Sequence, residues 1–365
     1  MRKLIFNLHL YTALVVGLFI VILGVTGSII AFEAELDVLF NPSLFKVQPG
    51  PKPLPVSDVF GALKAAYPHQ KFGSLYLPSA PDRSYNYTSY NKGAHNTQIF
   101  VNGYTGKIIG TRSLPTMLGN IHQLHMRLLM PPAIGKDITL IASFVLLWLV
   151  GSGIYLWWPL KRVKVKWGAS LRRVAFDLHS TVGIFAALFL FVLALTGIFV
   201  HFDESLDIHL NKMAHVAEPA RMLPSRVEPG VAPISPDEAI ATAKAALPGT
   251  KPNVIFLPVG PKGAYRVNMY YPEDLTGNRS WVIIDQYSGK QLFVESSRTA
   301  VFGTKAIIEN RAIHTGQIYG YPTKILMSLA SLITVLMTIT GYYMWWKKLK
   351  TVKTREPQSV AETLV

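Results

Sequence analysis

Four stretches of the chain carry no Asp, Glu, Lys or Arg over more residues than a bilayer requires. They cover residues 4–32, 138–160, 178–202 and 325–346, and Leu, Ile, Val, Phe and Ala dominate each one. A helix that crosses the hydrocarbon core needs about 20 such residues. The sequence therefore predicts four transmembrane helices. The first stretch is long and lacks a small-x-small cleavage site, which favours a retained helix over a signal peptide.

The distribution of charge predicts how these helices are oriented. The formal net charge is +15, a value that first suggests a nucleic-acid-binding protein. Most of the excess lies in three short segments, residues 1–3, 161–177 and 347–365, which hold thirteen basic and three acidic residues. Basic residues concentrate on the cytoplasmic side of membrane proteins. We therefore expect cytoplasmic termini, two long segments outside the membrane, and a lipid bilayer as partner, with no nucleic acid.

The chain contains an internal repeat. Residues 7–27 match residues 177–197 at an offset of 170, and both even-numbered apolar stretches end in Gly-x-Tyr-x-Trp-Trp, at an offset of 188. Each half is predicted to run helix, outer segment, helix, in the same direction through the membrane. The symmetry axis of such parallel repeats lies along the membrane normal.

The outer segments repeat as well. Residues 56–67 and 235–247 have the pattern of short amphipathic helices, and Ser235 or Asp237 is a candidate N-cap for the second. Alternating strands follow each helix, with a hairpin signal at Asn102 and at Asp285. Residues 48–55 and 217–236 are rich in Pro and are predicted linkers. The pattern predicts two small α+β modules outside the membrane.

The predicted fold class is an α-helical membrane protein, with four transmembrane helices in two parallel repeats and two small α+β modules. The expected boundaries are residues 1–34 for the first transmembrane helix, 35–120 for the first module, 121–160 for a short outer helix and the second transmembrane helix, 161–176 for a basic cytoplasmic loop, 177–202 for the third transmembrane helix, 203–308 for the second module, 309–347 for a short outer segment and the fourth transmembrane helix, and 348–365 for a cytoplasmic tail.

Four histidines stand at matching places in the two halves. His9 and His179 lie at the inner ends of the first and third stretches, and His125 and His314 precede the second and fourth. Ionisable residues in the membrane are costly and mark functional sites. Neutral imidazole is a common haem ligand, and helices related by a two-fold axis can offer two imidazoles to one iron. The pattern favours one haem near each membrane face, although a single histidine at a membrane end is more often only an interfacial residue.

The absence of cysteine restricts how a haem could be held. It excludes thiolate metal sites and the C-x-x-C-H attachment of c-type haem, so side-chain ligation alone remains. His122 and His201 are alternative ligands. We expect His69, His95, His209 and His215 to be surface residues. Arg and Lys suit carboxylates, and the candidates for the haem propionates are Arg2, Lys3, Arg172 and Arg173 inside and Arg127, Arg311, Lys136 and Lys324 outside, with a role as topology anchors as the alternative.

One distance stands against haems at opposite faces. The 22 residues from His179 to His201 span about 33 Å as a helix. Such a separation is long for fast electron transfer. Either the outer ligands dip into the bilayer, or His122 or His201 replaces one of the four histidines.

The motifs together resemble a known family. Leu-His begins the first and third stretches, Thr-Gly lies near their outer ends, Gln-Leu-His-Met-Arg-Leu-Leu-Met-Pro precedes the second, and Arg-Ala-Ile-His-Thr-Gly-Gln-Ile-Tyr-Gly precedes the fourth. These elements resemble the PepSY-associated transmembrane family, also described as iron-regulated membrane proteins. Residues 237–248 are similar to the start of a PepSY domain.

The resemblance implies a function. Similar family members are bacterial inner-membrane siderophore reductases, which use b-type haems to reduce ferric siderophores in the periplasm. It implies two haems b, a ferric siderophore or other Fe(III) chelate as substrate, and an oxidoreductase. Some relatives carry a fused reductase domain, but no G-x-G-x-x-G turn lies between a strand and a helix here. The expected electron donor is a separate cytoplasmic reductase or a membrane quinol.

Two other functions stay open. PepSY modules could act as binding or protease-regulating domains with the helices as an anchor, without redox chemistry. An iron-linked transporter is disfavoured because the four stretches contain no acidic residue. For the redox function, a substrate pocket lined by tyrosines is one possibility, and strand positions are the simpler explanation of the same residues: Tyr76, Tyr85, Tyr87, Tyr265, Tyr270 and Tyr271.

Overall fold

The computed structural model describes residues 1–90, 96–213, 220, 222–274 and 280–353. Four of its helices are long and apolar enough to cross a membrane, as the sequence predicts. Over the described residues, the helices are α1 (Arg2–Ile30), α2 (Glu33–Phe40), α3 (Pro42–Phe45), α4 (Val56–Ala66), α5 (Met117–Arg127), α6 (Pro132–Trp157), α7 (Leu171–His201), α8 (Asp203–Met213), α9 (Pro236–Ala246), α10 (Phe302–His314) and α11 (Tyr321–Lys353).

The four long helices form a closed bundle. Helix α1 packs against α6 and α11, and α7 packs against the same two helices. Helices α1 and α7 therefore stand at diagonal corners, as do α6 and α11. Small and apolar side chains line the contact of α6 with α7, where Ala186, Ala187 and Leu190 are buried with Val150.

Two short helices lead into the bundle from the side of the sheet. Helix α5 packs against α1 and α6, and α10 packs against α7. The chain reverses after α5 through Leu128 and Leu129, which both adopt left-handed backbone conformations (φ 54° and 58°). After α10 the reversal uses Gly316 (φ 74°), a residue type without steric cost at that angle, and a short 3₁₀ turn.

All the described strands join in one antiparallel sheet. Its order is β4-β3-β2-β1-β5-β6-β7-β8, so the strands of the two predicted modules meet at the β1–β5 pair, where Leu75 lies opposite Ile255. The strands are β1 (Lys71–Tyr76), β2 (Tyr85–Tyr90), β3 (Thr97–Val101), β4 (Ile108–Ser113), β5 (Lys251–Phe256), β6 (Ala264–Tyr270), β7 (Ser280–Asp285) and β8 (Gln291–Glu295).

Helices α4 and α9 cover one face of this sheet and form its hydrophobic core. Val59, Leu63 and Ala243 are fully buried against the strands. Ser235 is the N-cap of α9, and it forms a capping box with Glu238. The second candidate cap, Asp237, has a different role that links the two halves of the sheet region, described next.

The Asp237 carboxylate caps the other helix. It accepts hydrogen bonds from the backbone N–H groups of Val56 (2.9 Å) and Ser57 (2.7 Å) at the start of α4. Burial raises the pKa of Asp237, but these hydrogen bonds outweigh it and the pKa is lowered overall. An ionised carboxylate at a helix N-terminus is stabilising, so Asp237 fixes α9 against α4.

Both predicted hairpin turns are confirmed. Asn102 and Asp285 each accept hydrogen bonds from backbone N–H groups two and three residues later. Gly106 (φ 69°) and Gly289 (φ 67°) then supply the left-handed conformation that the turns require. The same short motif thus closes the β3–β4 and β7–β8 hairpins.

Helix α2 joins the bundle to the sheet through three carboxylates. It follows α1 directly, and its acidic side chains point to three different elements. Each carboxylate lies within 2.7 Å of its basic partner: Glu33 with His122 of α5, Glu35 with Lys324 of α11, and Asp37 with Arg112 of β4. The Glu33–His122 contact ties α5, the helix that carries His125, to α2.

Candidate functional site

The inner pair of histidines faces across the bundle. His9 lies on α1 and His179 on α7, the two diagonal helices. Their ring centroids are 6.5 Å apart, and the rings are nearly perpendicular at 83°. Two residues separated by 170 positions in the chain therefore meet between the four helices.

The outer pair repeats this arrangement from the short helices. His125 comes from α5 and His314 from α10. The ring centroids are again 6.5 Å apart, with an angle of 48° between the rings. Both sequence-predicted pairs are brought together, and the two centroid separations are equal.

Each histidine ring lies against a hydroxyl–glycine pair, which we define as a Ser or Thr followed by Gly on a neighbouring long helix. Nδ1 lies 2.8–3.1 Å from the hydroxyl oxygen at all four positions. The contacts are His9 with Ser152, His179 with Thr340, His125 with Thr26, and His314 with Thr196.

The glycine of each pair leaves the space that the ring occupies. A Cβ placed on Gly27 would lie 2.9 Å from Cε1 of His125, and one on Gly197 would lie 3.3 Å from Cε1 of His314. The inner rings have more room, because the matching distances are 3.6 Å from Gly153 to His9 and 3.8 Å from Gly341 to His179. The outer rings therefore pack more closely against their glycines than the inner rings do.

The hydroxyl groups determine the tautomer of the rings. Each hydroxyl donates its single hydrogen to the backbone carbonyl four residues earlier, at 2.6–2.7 Å: Thr26 to Ile22, Ser152 to Trp148, Thr196 to Val192, and Thr340 to Leu336. It can then only accept from the imidazole, so Nδ1 carries the hydrogen. The carbonyl of Leu23, 3.1 Å from Nδ1 of His125, requires the same tautomer.

This tautomer leaves Nε2 with its lone pair on every ring. A ring whose Nδ1–H is held by a neighbouring acceptor is the usual arrangement of a metal-binding histidine. Two imidazoles on opposite sides of one metal, with bonds of about 2 Å, have ring centres about 6 Å apart. The described residues contain no group of three or more His, Asp or Glu that could hold a bare metal ion. A porphyrin iron needs only two protein ligands, and each pair fits that donor set.

The alternative ligands lie elsewhere. His122 is bonded to Glu33 at 2.7 Å, and this hydrogen bond raises the pKa of His122. His201 packs edge-on against Phe202 at the end of α7. Neither ring forms a ring contact with the outer pair, so the structure brings His125 and His314 together without the two alternatives.

The two histidine pairs lie closer together along the helix axis than the sequence suggests. The ring of His125 contacts α1 at residues 23–27, inside the long helix rather than at its end. The midpoint of that segment lies 16 residues from His9, or about 24 Å along the helix axis. The outer ligands therefore dip into the bundle, and the pairs are closer than the 33 Å expected at opposite helix ends.

Several predicted propionate ligands are engaged by the protein itself. Arg173 pairs with Asp177 at 2.9 Å, Arg311 with Asp203, and Lys324 with Glu35. Arg127 donates to Gln123 and Arg2 to the carbonyl of Leu156. The remaining three candidates form no ion pair within the described residues: Lys3, Arg172 and Lys136.

The tyrosines of the possible substrate pocket belong to the sheet and its hydrophobic core. Tyr85, Tyr87 and Tyr265 are buried in the core beneath α4 and α9. Tyr76 and Tyr270 belong to strands and Tyr271 directly follows one, so strand positions explain this set. His69 and His209 are exposed, as expected, and His95 and His215 lie outside the described residues.

Sequence reasoning missed the hydroxyls of the hydroxyl–glycine pairs. The sequence pattern marks Thr-Gly in α1 and α7 only as a motif and gives Ser152 and Thr340 no role. The signal was present, because each of the four apolar stretches contains a Ser or Thr directly before a Gly at one histidine level. Which histidine each pair receives depends on helix packing.

A family model described as the PepSY-associated TM region matches residues 6–348. The chain belongs to this family. The match covers all four long helices and the sheet between them, so the PepSY-associated protein is a multi-pass membrane protein. No curated protein matches the chain.

Proposed function

We propose that this PepSY-associated protein is a haem b-containing electron-transfer protein of the bacterial inner membrane. It takes electrons from a cytoplasmic reductase or a quinol and reduces an Fe(III) chelate, such as a ferric siderophore, in the periplasm. Fe(II) is released because hard oxygen donors hold Fe(III) more strongly than Fe(II). The chain is then an oxidoreductase with two resident haems.

The observation that carries the proposal is the shared geometry of the two histidine pairs. Both have ring centroids 6.5 Å apart, and in both Nε2 retains its lone pair because Nδ1–H is held by a hydroxyl. Four half-buried imidazoles with one type of contact lie at two levels of an apolar bundle, and ionisable residues inside a membrane mark functional sites.

The residues of the chain have separate roles in this proposal. His9 and His179 ligate an inner haem, and His125 and His314 an outer one. The hydroxyls orient the rings, and the glycines permit their close approach. Each haem, when bound, supplies one-electron transfer without a proton. The bundle excludes water and sets the dielectric around the iron, which are the usual protein controls of haem potential.

The topology follows from the charge distribution. The basic segments place both termini in the cytoplasm, so the inner pair receives electrons from that side. The two long outer segments, each a PepSY-like module of one repeat, then lie in the periplasm. The outer pair sits on the side of the sheet, below the region where a chelate would bind.

The visible spectrum of the purified protein tests the proposal. The full chain in mild detergent should show a sharp reduced band pattern after dithionite and about two haems per chain. The double variant His9→Ala/His179→Ala should lose one haem, and His125→Ala/His314→Ala the other. His69→Ala, an exposed residue, is the matched control and should change nothing.

Two outcomes would contradict the proposal. A colourless protein, even when expressed with added haem precursor, would favour the non-redox function in which the sheet region binds or regulates another protein. Unchanged haem content in both double variants would remove these histidines as ligands. A separate experiment tests the substrate class. An Fe(III) hydroxamate chelate should oxidise the dithionite-reduced protein, and the Fe(II) that is formed is measured with an Fe(II)-specific trap.

A further inference from the structure

A groove lies on the outside of the bundle where α1 begins and α6 ends. Its volume is about 360 Å³, within the usual range for small-molecule sites. Tyr155 and Trp158 remain 48% and 61% exposed along it, so the groove opens laterally toward the membrane. The lining residues are Arg2, Gly151, Ile154, Tyr155, Trp158 and Pro159.

The groove depends on a glycine. A Cβ at Gly151 would meet nothing within 4 Å, so the site is open space rather than close helix packing. The residue at the matching position of α11, at an offset of 188, is Ile339. At this position α11 carries a branched side chain and α6 carries none. The open space beside Gly151 therefore belongs to only one half of the chain.

The polar groups of the groove suit a ring with oxygen substituents. Arg2 uses one N–H for the carbonyl of Leu156 (3.1 Å) and has further donors. The phenol of Tyr155 adds a second polar group among apolar walls. Arg2 is the single cation among the lining residues, and Lys161 lies over the ring of Trp158 at 4.8 Å. Anionic lipid headgroups are recognised by clusters of Lys and Arg, so the test below includes competition by anionic phospholipid.

The groove is next to the inner histidine pair. Gly151 directly precedes Ser152 and Gly153, the hydroxyl–glycine pair that holds His9. Successive residues of a helix point in different directions, so one turn of α6 presents Gly151 to the groove and Ser152 to His9. A molecule in the groove is separated from the ring of His9 by this turn.

We propose that the groove binds a membrane quinol and is the entry point for electrons, an inference that rests on the proposed function. The quinol loses two electrons and two protons to become a quinone. The electrons would pass singly to a haem held by His9 and His179, and the protons would leave to the cytoplasmic water. Arg2 favours the anionic quinolate, the form that gives up an electron more readily.

The test uses the full chain in phospholipid nanodiscs with decylubiquinol and its quinone as probes. Binding of the quinone is measured by quenching of tryptophan fluorescence, with Trp158→Phe to assign the signal. Reduction of the protein by the quinol is followed by absorbance. Gly151→Ile fills the groove with the side chain type found on α11, and Ile339→Leu is the matched control on that helix.

We expect saturable quinone binding that Gly151→Ile weakens at least tenfold, with an equal loss in the rate of reduction by quinol. Haem content and the dithionite-reduced spectrum should be unchanged in Gly151→Ile, and Ile339→Leu should match wild type throughout. Quinone binding that Gly151→Ile leaves unchanged overturns the inference. So does a groove that anionic phospholipid occupies and from which added quinone does not displace it. A wild-type protein that binds quinone but contains no haem refutes the proposed function and leaves the groove as a quinone site.

Discussion

Replacing Gly27 with Ala should disturb the outer histidine pair and leave the inner pair intact, because of one short contact in the structure. The new Cβ would lie 2.9 Å from Cε1 of His125, and ordinary van der Waals contact begins at 3.4 Å, so the ring must move by about 0.5 Å. Metal–ligand distances tolerate only about 0.2 Å. The same change at Gly341 places a Cβ 3.8 Å from His179, which is ordinary contact.

The expected result is a selective loss. Gly27→Ala should lower the haem content from about two to about one per chain, because only the outer ligands are displaced. Gly341→Ala should keep both haems. Alanine is favoured over glycine within a helix by about 1 kcal/mol, so weakened helix formation cannot explain a loss in Gly27→Ala. Gly197→Ala, at 3.3 Å from His314, should fall between the two.

The assay is the haem-to-protein ratio of the purified variants, with far-ultraviolet circular dichroism as the measure of folding. The reasoning is refuted if Gly27→Ala retains both haems while Gly341→Ala loses one. It is also refuted if both variants behave alike with native circular dichroism. A loss of helical signal in Gly27→Ala alone would show that α5 has moved away from α1. The spectrum of the remaining haem would then identify which histidine pair still binds haem.

Three further changes probe the contacts around the site. Ser152→Ala removes the acceptor for the inner ring and should weaken retention of the inner haem by about 10-fold or more; Ser152→Thr should restore it, and Ser143→Ala, whose hydroxyl also bonds the carbonyl four residues earlier, should have no effect on that haem. The hydrogen bond to Glu33 raises the pKa of His122. The contact between the two side chains therefore stabilises the fold fully while His122 is protonated, and this stabilisation is lost as the pH rises through the raised pKa. In Glu33→Gln, the melting temperature should depend less on pH across neutrality. Asp237→Ala removes two hydrogen bonds to a charged acceptor and should lower the free energy of unfolding of the sheet region by about 3 kcal/mol in chemical denaturation, whereas unchanged stability would show that the cap contributes nothing.

The sequence was sufficient for the membrane architecture because composition alone decides it. Long uncharged stretches have no stable alternative to spanning helices. The capping signal at Ser235 and the hairpin signals at Asn102 and Asp285 were equally local, since each depends on residues within one turn of the chain. These features were predicted correctly without knowledge of the tertiary contacts.

The candidate site was only partly accessible from the sequence. The internal repeat predicted which histidines pair, and the structure places both pairs at the same ring separation. It did not predict that Asp237 caps α4 rather than α9, or that the strands of both outer segments form one sheet. These contacts join residues about 180 positions apart, and no local pattern records them.

The sequence by itself determined the four spanning helices, the side on which charge lies, and the four histidines at equivalent positions. Only the tertiary structure decided that α1 and α7 stand diagonally, that each ring lies against a Ser or Thr and a Gly of another helix, and that the outer rings dip into the bundle. The physical reason is range. Hydropathy and capping act within a few residues, whereas the tautomer of an imidazole depends on which acceptor helix packing brings to its Nδ1.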